Sequence, residues 1–145
     1  MSRVLTVGVF DVLHFGHFEL FRRAKALGGA DGQLIVAVQE DEFVLKYKPT
    51  ARLIYDFATR CSMIRAIRYV DEVISYRDVD TDIQKLDFDV FAIGGDQLHP
   101  GFQRAVEWCE RNGKRVERLS RTPNISSSQL RKGQHVQFSS EEKLY

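Results

Sequence analysis

Nowhere does this sequence reach the run of about eighteen apolar residues that a bilayer-crossing helix needs. Residues Met1 to Phe10 hold one early arginine and a short apolar run, without the longer apolar core and small-residue cleavage site of a secretory signal. The expected location is the cytoplasm, with no membrane partner. An excess of charge is also missing: 21 Lys and Arg against 20 Asp and Glu leave a formal charge of +1. That balance argues against broad neutralisation of a nucleic-acid backbone, so any anion site must be concentrated in a few residues. Cysteine is scarce. Cys61 and Cys109 sit inside helical-looking segments without metal-type spacing and read as small reduced core residues. Internal repeats, low-complexity tracts and interdomain linkers are absent too. What remains, 145 residues with 43% hydrophobic and 28% charged, suits one soluble globular domain. Such a chain buries roughly two-thirds of its unfolded surface.

Arg3 to Val9 (RVLTVGV) is a short β-rich run, followed by a loop from Phe10 to His14 and a helical pattern that stops at Gly28-Gly29. Gln33 to Gln39 (QLIVAVQ) is almost continuously apolar, as expected of a parallel strand covered on both faces. Lys46 to Ala51 reads as loop, Tyr55 to Ile67 as helix, Val70 to Ile74 as strand, Asp80 to Leu86 as helix and Val90 to Ile93 as strand. Pro100 opens a helix toward Asn112-Gly113, Arg115 to Leu119 forms another strand, and a last helix starts near Ser126. This alternation predicts a single-domain, Rossmann-like α/β fold with a parallel sheet of about five strands flanked by helices. The domain is expected over residues 1–133, with 134–145 a loosely attached tail. Ligands of such sheets sit at the carboxyl ends of the strands. The loops of interest are therefore Gly8 to His17, Gln39 to Lys48, Gly94 to His99 and Leu119 to Ser128.

The sharpest feature is GVFDVLHFGH, Gly8 to His17, where the first strand gives way to the first helix. Gly8 lets a backbone or ligand come close, and Gly16 does the same at a helix entrance whose unpaired N–H groups and positive dipole end favour an anion. His14 and His17 are three apart, so on a first helical turn both rings project from one side. Two imidazoles there make a phosphate site, and a charged form would bind phosphate best. Zinc held by His14, His17 and Asp11 is a second way to use the same residues.

GVFDVLHFGH resembles the nucleotide-binding signature of the cytidylyltransferase family, within the HxGH nucleotidylyltransferase superfamily. Asp41-Glu42-Phe43, RYVDEVI from Arg68 to Ile74, and Arg121-Thr122 followed by Ile125-Ser126-Ser127 agree with the family in order and spacing. The resemblance spans residues 3 to about 132. It implies transfer of CMP from CTP to a phosphorylated alcohol, with glycerol 3-phosphate the leading acceptor. It also implies a Mg²⁺ requirement, a homodimer with the RYVDEVI segment near its interface, and a role in making capsule, teichoic-acid or other surface-polymer precursors. By the same resemblance His14, His17, Lys46 and Arg121 are catalytic candidates. Gly8, Val9, Phe10, Asp11, Gly16, Arg60, Arg68, Asp96, Thr122, Ser126 and Ser127 are nucleotide-binding candidates. Lys48 and Asp41 would meet the acceptor, and Asp11 would hold the metal, mostly through phosphates and water. A module that binds CTP without turning it over stands as the non-catalytic alternative.

Three departures bear on the acceptor. Gly95-Asp96-Gln97 stands where members acting on glycerol phosphate tend to show Asp-Asp-Trp. The stretch between Phe43 and Arg60 is about two residues longer, and Ala58 falls where an acidic residue is common. CTP binding tolerates these changes more readily than acceptor identity does, so phosphoethanolamine, phosphocholine, other polyol phosphates and amino-acid-derived phosphates remain open.

Overall fold

In the computed structural model, which describes residues 2–95 and 97–120, strands and helices alternate along the chain. β1 (Arg3–Gly8) leads to α1 (Phe15–Leu27), β2 (Gln33–Gln39), α2 (Asp41–Tyr47) and α3 (Phe57–Arg65). β3 (Glu72–Tyr76), α4 (Val79–Asp82), a 3₁₀ turn over Ile83–Lys85, β4 (Val90–Gly94), α5 (Pro100–Arg111) and β5 (Arg115–Leu119) follow. All five strands are parallel, in the order β3-β2-β1-β4-β5. The expected Rossmann-like fold is therefore the observed one.

Side chains along β1 alternate between two cores, as the period of two in a strand requires. Val4 joins Leu34, Val36, Val38, Phe21 and Ile64 beneath α1 and α3. Leu5 and Val7 join Ile35, Ala37, Phe91, Ile93 and Phe102 beneath α5. β2 is buried on both faces, which accounts for its unbroken apolar sequence. Cys61 and Cys109 lie free and buried, one in each core. Burial raises the Cys109 thiol to about 11, so it stays protonated.

Three local expectations are corrected. Asp41–Tyr47 is helical rather than loop; Asp41 and Glu42 in its first turn and Lys46 in its last complement the helix dipole. β3 begins at Glu72, two residues later than expected: Val70 donates its amide to Ile67 in a turn, and Asp71 uses its carboxylate to hold the Leu34 amide. The helix expected over Asp80 to Leu86 is one turn of α4 passing into the 3₁₀ turn. The final helix near Ser126 and the tail 134–145 lie outside the described residues.

The chain builds outward from β1 to β2 and β3, then crosses back to place β4 on the other side of β1. Such a reversal leaves a crevice at the carboxyl ends of β1 and β4. The described residues after those two strands, Val9 to His14 and Gly95 with Gln97 to His99, flank it.

Candidate active site

Phe10 sets the geometry of the first turn. Its φ of 53° lies in the left-handed region, which costs a non-glycine residue about 1–2 kcal/mol. The ring folds back over Gly8, where an added Cβ would stand 2.7 Å from Cζ. Gly8 thus makes room for a side chain of its own turn. Once there, the buried Phe10 ring meets Phe21 edge-on at 5.2 Å and His17 at 5.4 Å, so the strained residue braces the second histidine.

His14 is the N-cap of α1, its Nδ1 accepting the Gly16 amide at 3.0 Å. His17 returns the favour, its Nδ1 accepting the His14 amide at 3.3 Å. This is a capping box built from two imidazoles, with the rings stacked at 3.9 Å. A nitrogen that accepts carries no proton, so each neutral ring has its N–H at Nε2. Burial, and then the neighbouring His14, lower His17 to about 3. His17 is therefore a neutral hydrogen-bond donor at physiological pH, not the charged form that would bind phosphate best. Gly16 is corrected as well, because its amide belongs to the cap rather than to an anion.

Asp11 is 4% exposed and accepts the amides of Ile54 and Tyr55, each at 2.9 Å. It pins the 48–56 loop, which lies within the Phe43-to-Arg60 stretch that looked about two residues longer, to the first turn. Arg60, expected to point at the nucleotide, is instead 1% exposed. Its guanidinium donates to the carbonyls of Val9 (2.7 Å), Gln39 (2.9 Å) and Tyr55 (3.2 Å) and to the Asp41 carboxylate (2.5 Å). Four acceptors leave this side chain a structural part: it ties the ends of β1 and β2 to the loop. Asp41, expected at the acceptor, spends its carboxylate on Arg60 and on the Phe57 amide at 3.1 Å. Among the described residues no group of three His, Cys, Asp or Glu is placed to hold a metal ion. Neither zinc on His14, His17 and Asp11 nor a Mg²⁺ ligated by Asp11 fits side chains already committed to caps and backbone amides.

Lys46 and Lys48 stand at the end of α2, on the carboxyl side of the sheet. The Lys46 ammonium is 3.8 Å from the Asp78 carboxylate and 5.2 Å from the Phe43 and Tyr47 rings, with more than half of the side chain exposed. Arg68 precedes β3 and so lies at the amino edge, opposite the histidines, exposed and over the Tyr69 ring. The structure does not bring it to the site. Asp96, Arg121, Thr122, Ser126 and Ser127 lie outside the described residues.

Two features escape the sequence reading. Gln97 bridges the crevice strands, donating to the Val7 carbonyl at 3.1 Å and accepting the Gly94 amide at 3.0 Å. His99 caps α5 as His14 caps α1, its Nδ1 accepting the Gly101 amide at 3.1 Å. The repeated His-x-Gly spacing, His14-Phe15-Gly16 and His99-Pro100-Gly101, was the available signal for the second cap.

A crevice at the strand reversal, entered by a helix whose cap presents two imidazole donors, is the site of an α/β nucleotidyltransferase. The family model described as cytidylyltransferase-like matches residues 5–133, and the chain belongs to that family. It is similar to the glycerol-3-phosphate cytidylyltransferase of Staphylococcus aureus (strain NCTC 8325 / PS 47), 39% identical over 135 residues that cover 90% of this chain and 93% of the relative. An FAD synthase of Korarchaeum cryptofilum (strain OPF8) is 35% identical over 129 residues, covering 88% and 80%. Among solved structures, a lipopolysaccharide core biosynthesis protein from Thermoplasma volcanium GSS1 superposes with a TM-score of 0.65 at 26% identity, over 84% of this chain and 97% of that one.

Proposed function

We propose that this enzyme transfers CMP from CTP to a phosphorylated alcohol, glycerol 3-phosphate foremost, releasing pyrophosphate. The observation that carries the reading is the imidazole capping box at the mouth of α1. A phosphomonoester has a second pKa of about 6, so at neutral pH the acceptor is a dianion and attacks the α-phosphorus without a general base. The bond from that phosphorus to the bridging oxygen breaks, and its electron pair leaves with pyrophosphate. Catalysis is then alignment plus stabilisation of phosphate charge. His14 and the neutral His17 serve as Nε2–H donors to those phosphates. In this reading Arg121, Thr122, Ser126 and Ser127 hold the outer phosphates, while Asp96 and the turn from Gly8 to Phe10 meet the nucleoside. Lys46 and Lys48 approach the α-phosphate and the acceptor. A Mg²⁺ would be carried by triphosphate oxygens and water. The reading is completed by a cytoplasmic homodimer that supplies surface-polymer precursors. The outer edge of β3 and the exposed Arg68 beside it support an interface there.

A second reading, adenylyl transfer from ATP to a flavin phosphate, is favoured by the resemblance to FAD synthases. Ile54, Tyr55, Tyr47 and Leu98, exposed on the elements that rim the carboxyl edge, supply apolar surface that a flat ring needs and glycerol phosphate does not. Pyrophosphate release is measured with CTP and ATP, each against glycerol 3-phosphate, phosphocholine, phosphoethanolamine and FMN. Turnover with CTP and a phosphoalcohol is expected. Turnover confined to ATP and FMN replaces the first reading with the second, and nucleotide binding without turnover leaves the non-catalytic module.

A further inference from the structure

α1 carries the His pair on its first turn and, six residues beyond His17, Arg23. The Arg23 guanidinium reaches across to the end of β5: Nη1 donates to the Ser120 carbonyl at 2.8 Å, and Nη2 lies 3.4 Å from the Ser120 hydroxyl. β5 is an edge strand laddered to β4. Beyond that ladder, the Gly95 amide holds the Leu119 carbonyl at 2.9 Å, and Arg23 holds the next one. Ser120 is the residue at which the chain enters Arg121-Thr122 and the Ile125-Ser126-Ser127 run.

The adjacent arginine makes the contrast. Arg22 forks onto Glu19 within the same helix, with both oxygens at 2.9 Å, and so supplies the local ion pair. Arg23 instead takes a carbonyl 97 residues away. A charged donor on a backbone oxygen is a strong, directional bond that no substitution at Ser120 removes. Its two ends belong to α1 and to the residue that follows β5.

We propose that Arg23 is a positioning residue for nucleotidyl transfer: by clamping Ser120 to α1, it fixes the point from which the chain runs on into Arg121 against the helix that begins with His14 and His17. This rests on the reading that the start of α1 and the segment from Arg121 to Ser127 grip one triphosphate. Small misplacements of binding groups cost rate steeply, so a lost clamp registers in triphosphate affinity and kcat before it registers in folding.

The test compares Arg23→Gln, Arg23→Lys, Ser120→Ala and the parent. Triphosphate affinity is read by calorimetry with whichever of CTP and ATP the parent binds, and kcat/KM by pyrophosphate release. Arg23→Gln should lose about tenfold in affinity and in kcat/KM at an unchanged melting temperature, Arg23→Lys should recover most of it through one N–H, and Ser120→Ala should match the parent. In the double variant with Arg121→Ala the two losses should fall short of multiplying, since both act on one segment. Arg23→Gln within twofold of the parent, or losses that multiply in full, overturns the proposal. A parent that binds ATP and not CTP removes the cytidylyl reading while leaving the Arg23 comparison intact; a parent that binds neither removes both.

Discussion

Two helices among the described residues begin with a histidine that accepts the amide of a glycine two residues on, and only one of them doubles that cap with a second histidine. At α1 the cap is doubled by His17, braced by the left-handed Phe10 and anchored through Val9 to the buried Arg60. At α5 the cap has no second histidine: the exposed His99 ring meets Phe102 edge-on at 4.4 Å and lies stacked 6.4 Å from Tyr47, Pro100 follows it, and its crevice loop is held by the uncharged Gln97. A capping imidazole is thus a folding device first. What sets α1 apart is its second histidine, whose Nδ1 accepts the amide of the first and whose ring burial holds neutral.

The largest effect should come from removing the donors while keeping the caps. Asn is a good N-cap, so His14→Asn, and likewise His17→Asn, should lower kcat by about 10²–10³-fold each, the scale of a lost transition-state donor, with the helical circular dichroism preserved. His99→Asn should leave kcat within about threefold. Equal losses at both helices, read by pyrophosphate release, erase the distinction. Next come the anchors. Arg60→Ala strips hydrogen bonds from three carbonyls and leaves Asp41 without its partner, for an expected loss of about 3 kcal/mol in urea unfolding. Gln97→Ala should cost about 1 kcal/mol. A Gln97 loss that matches the Arg60 loss would show that the α5 loop is anchored as firmly as the α1 turn.

Glycine substitutions sharpen the same contrast. Alanine at Gly8 would put Cβ 2.7 Å from the Phe10 ring, and alanine at Gly101 would put it 2.8 Å from His99 Cε1. Each should destabilise by about 1–3 kcal/mol through overpacking. Gly8→Ala should also lower kcat at temperatures where it is fully folded, because Phe10 braces His17; Gly101→Ala should leave kcat alone, and a silent Gly8→Ala would sink the bracing role.

The smallest effect is on pH dependence. His17 is held at about 3 in the fold against an ordinary 6.5, so below 6.5 the unfolded chain takes up a proton that the folded chain refuses. Stability should therefore fall as pH drops from 6.5 toward 3, and His17→Gln should flatten that slope. His99, lowered first by burial and then by the charges of Lys48 and Arg104, has the same sign; being exposed, it should give a shallower slope. Denaturation midpoints across this range check both. The acidic limb of activity should follow the second pKa of the acceptor phosphate rather than a histidine, and an acceptor of lower pKa should move that limb down.

The strand-helix alternation, the close approach at Gly8 and the His pair were legible in the sequence because they depend on local periodicity and spacing. Position along the chain also placed Lys46 and Lys48 on the carboxyl side of the sheet, and they are there. Arg60 and Asp41 were misread for a physical reason: charged side chains are expected at solvent or substrate, and neither burial nor three backbone carbonyls converging from β1, β2 and a loop can be seen in one dimension. Arg68 was misplaced because a motif gives order along the chain but not which edge of the sheet it reaches. Arg23, one of two adjacent arginines, had no local signal that could separate it from Arg22.

By itself the amino-acid sequence determined the fold class, the strand count and the turn that carries the two histidines, since apolar period and glycine and histidine spacing are properties of neighbours. The tertiary structure alone decided which charges are spent inside the fold. It also decided which ring nitrogens carry protons, because both depend on acceptors brought from distant parts of the chain. A stacked imidazole pair with a neutral His17 is the consequence: the amides of His14 and Gly16 occupy the Nδ1 atoms, and burial lowers His17 to about 3.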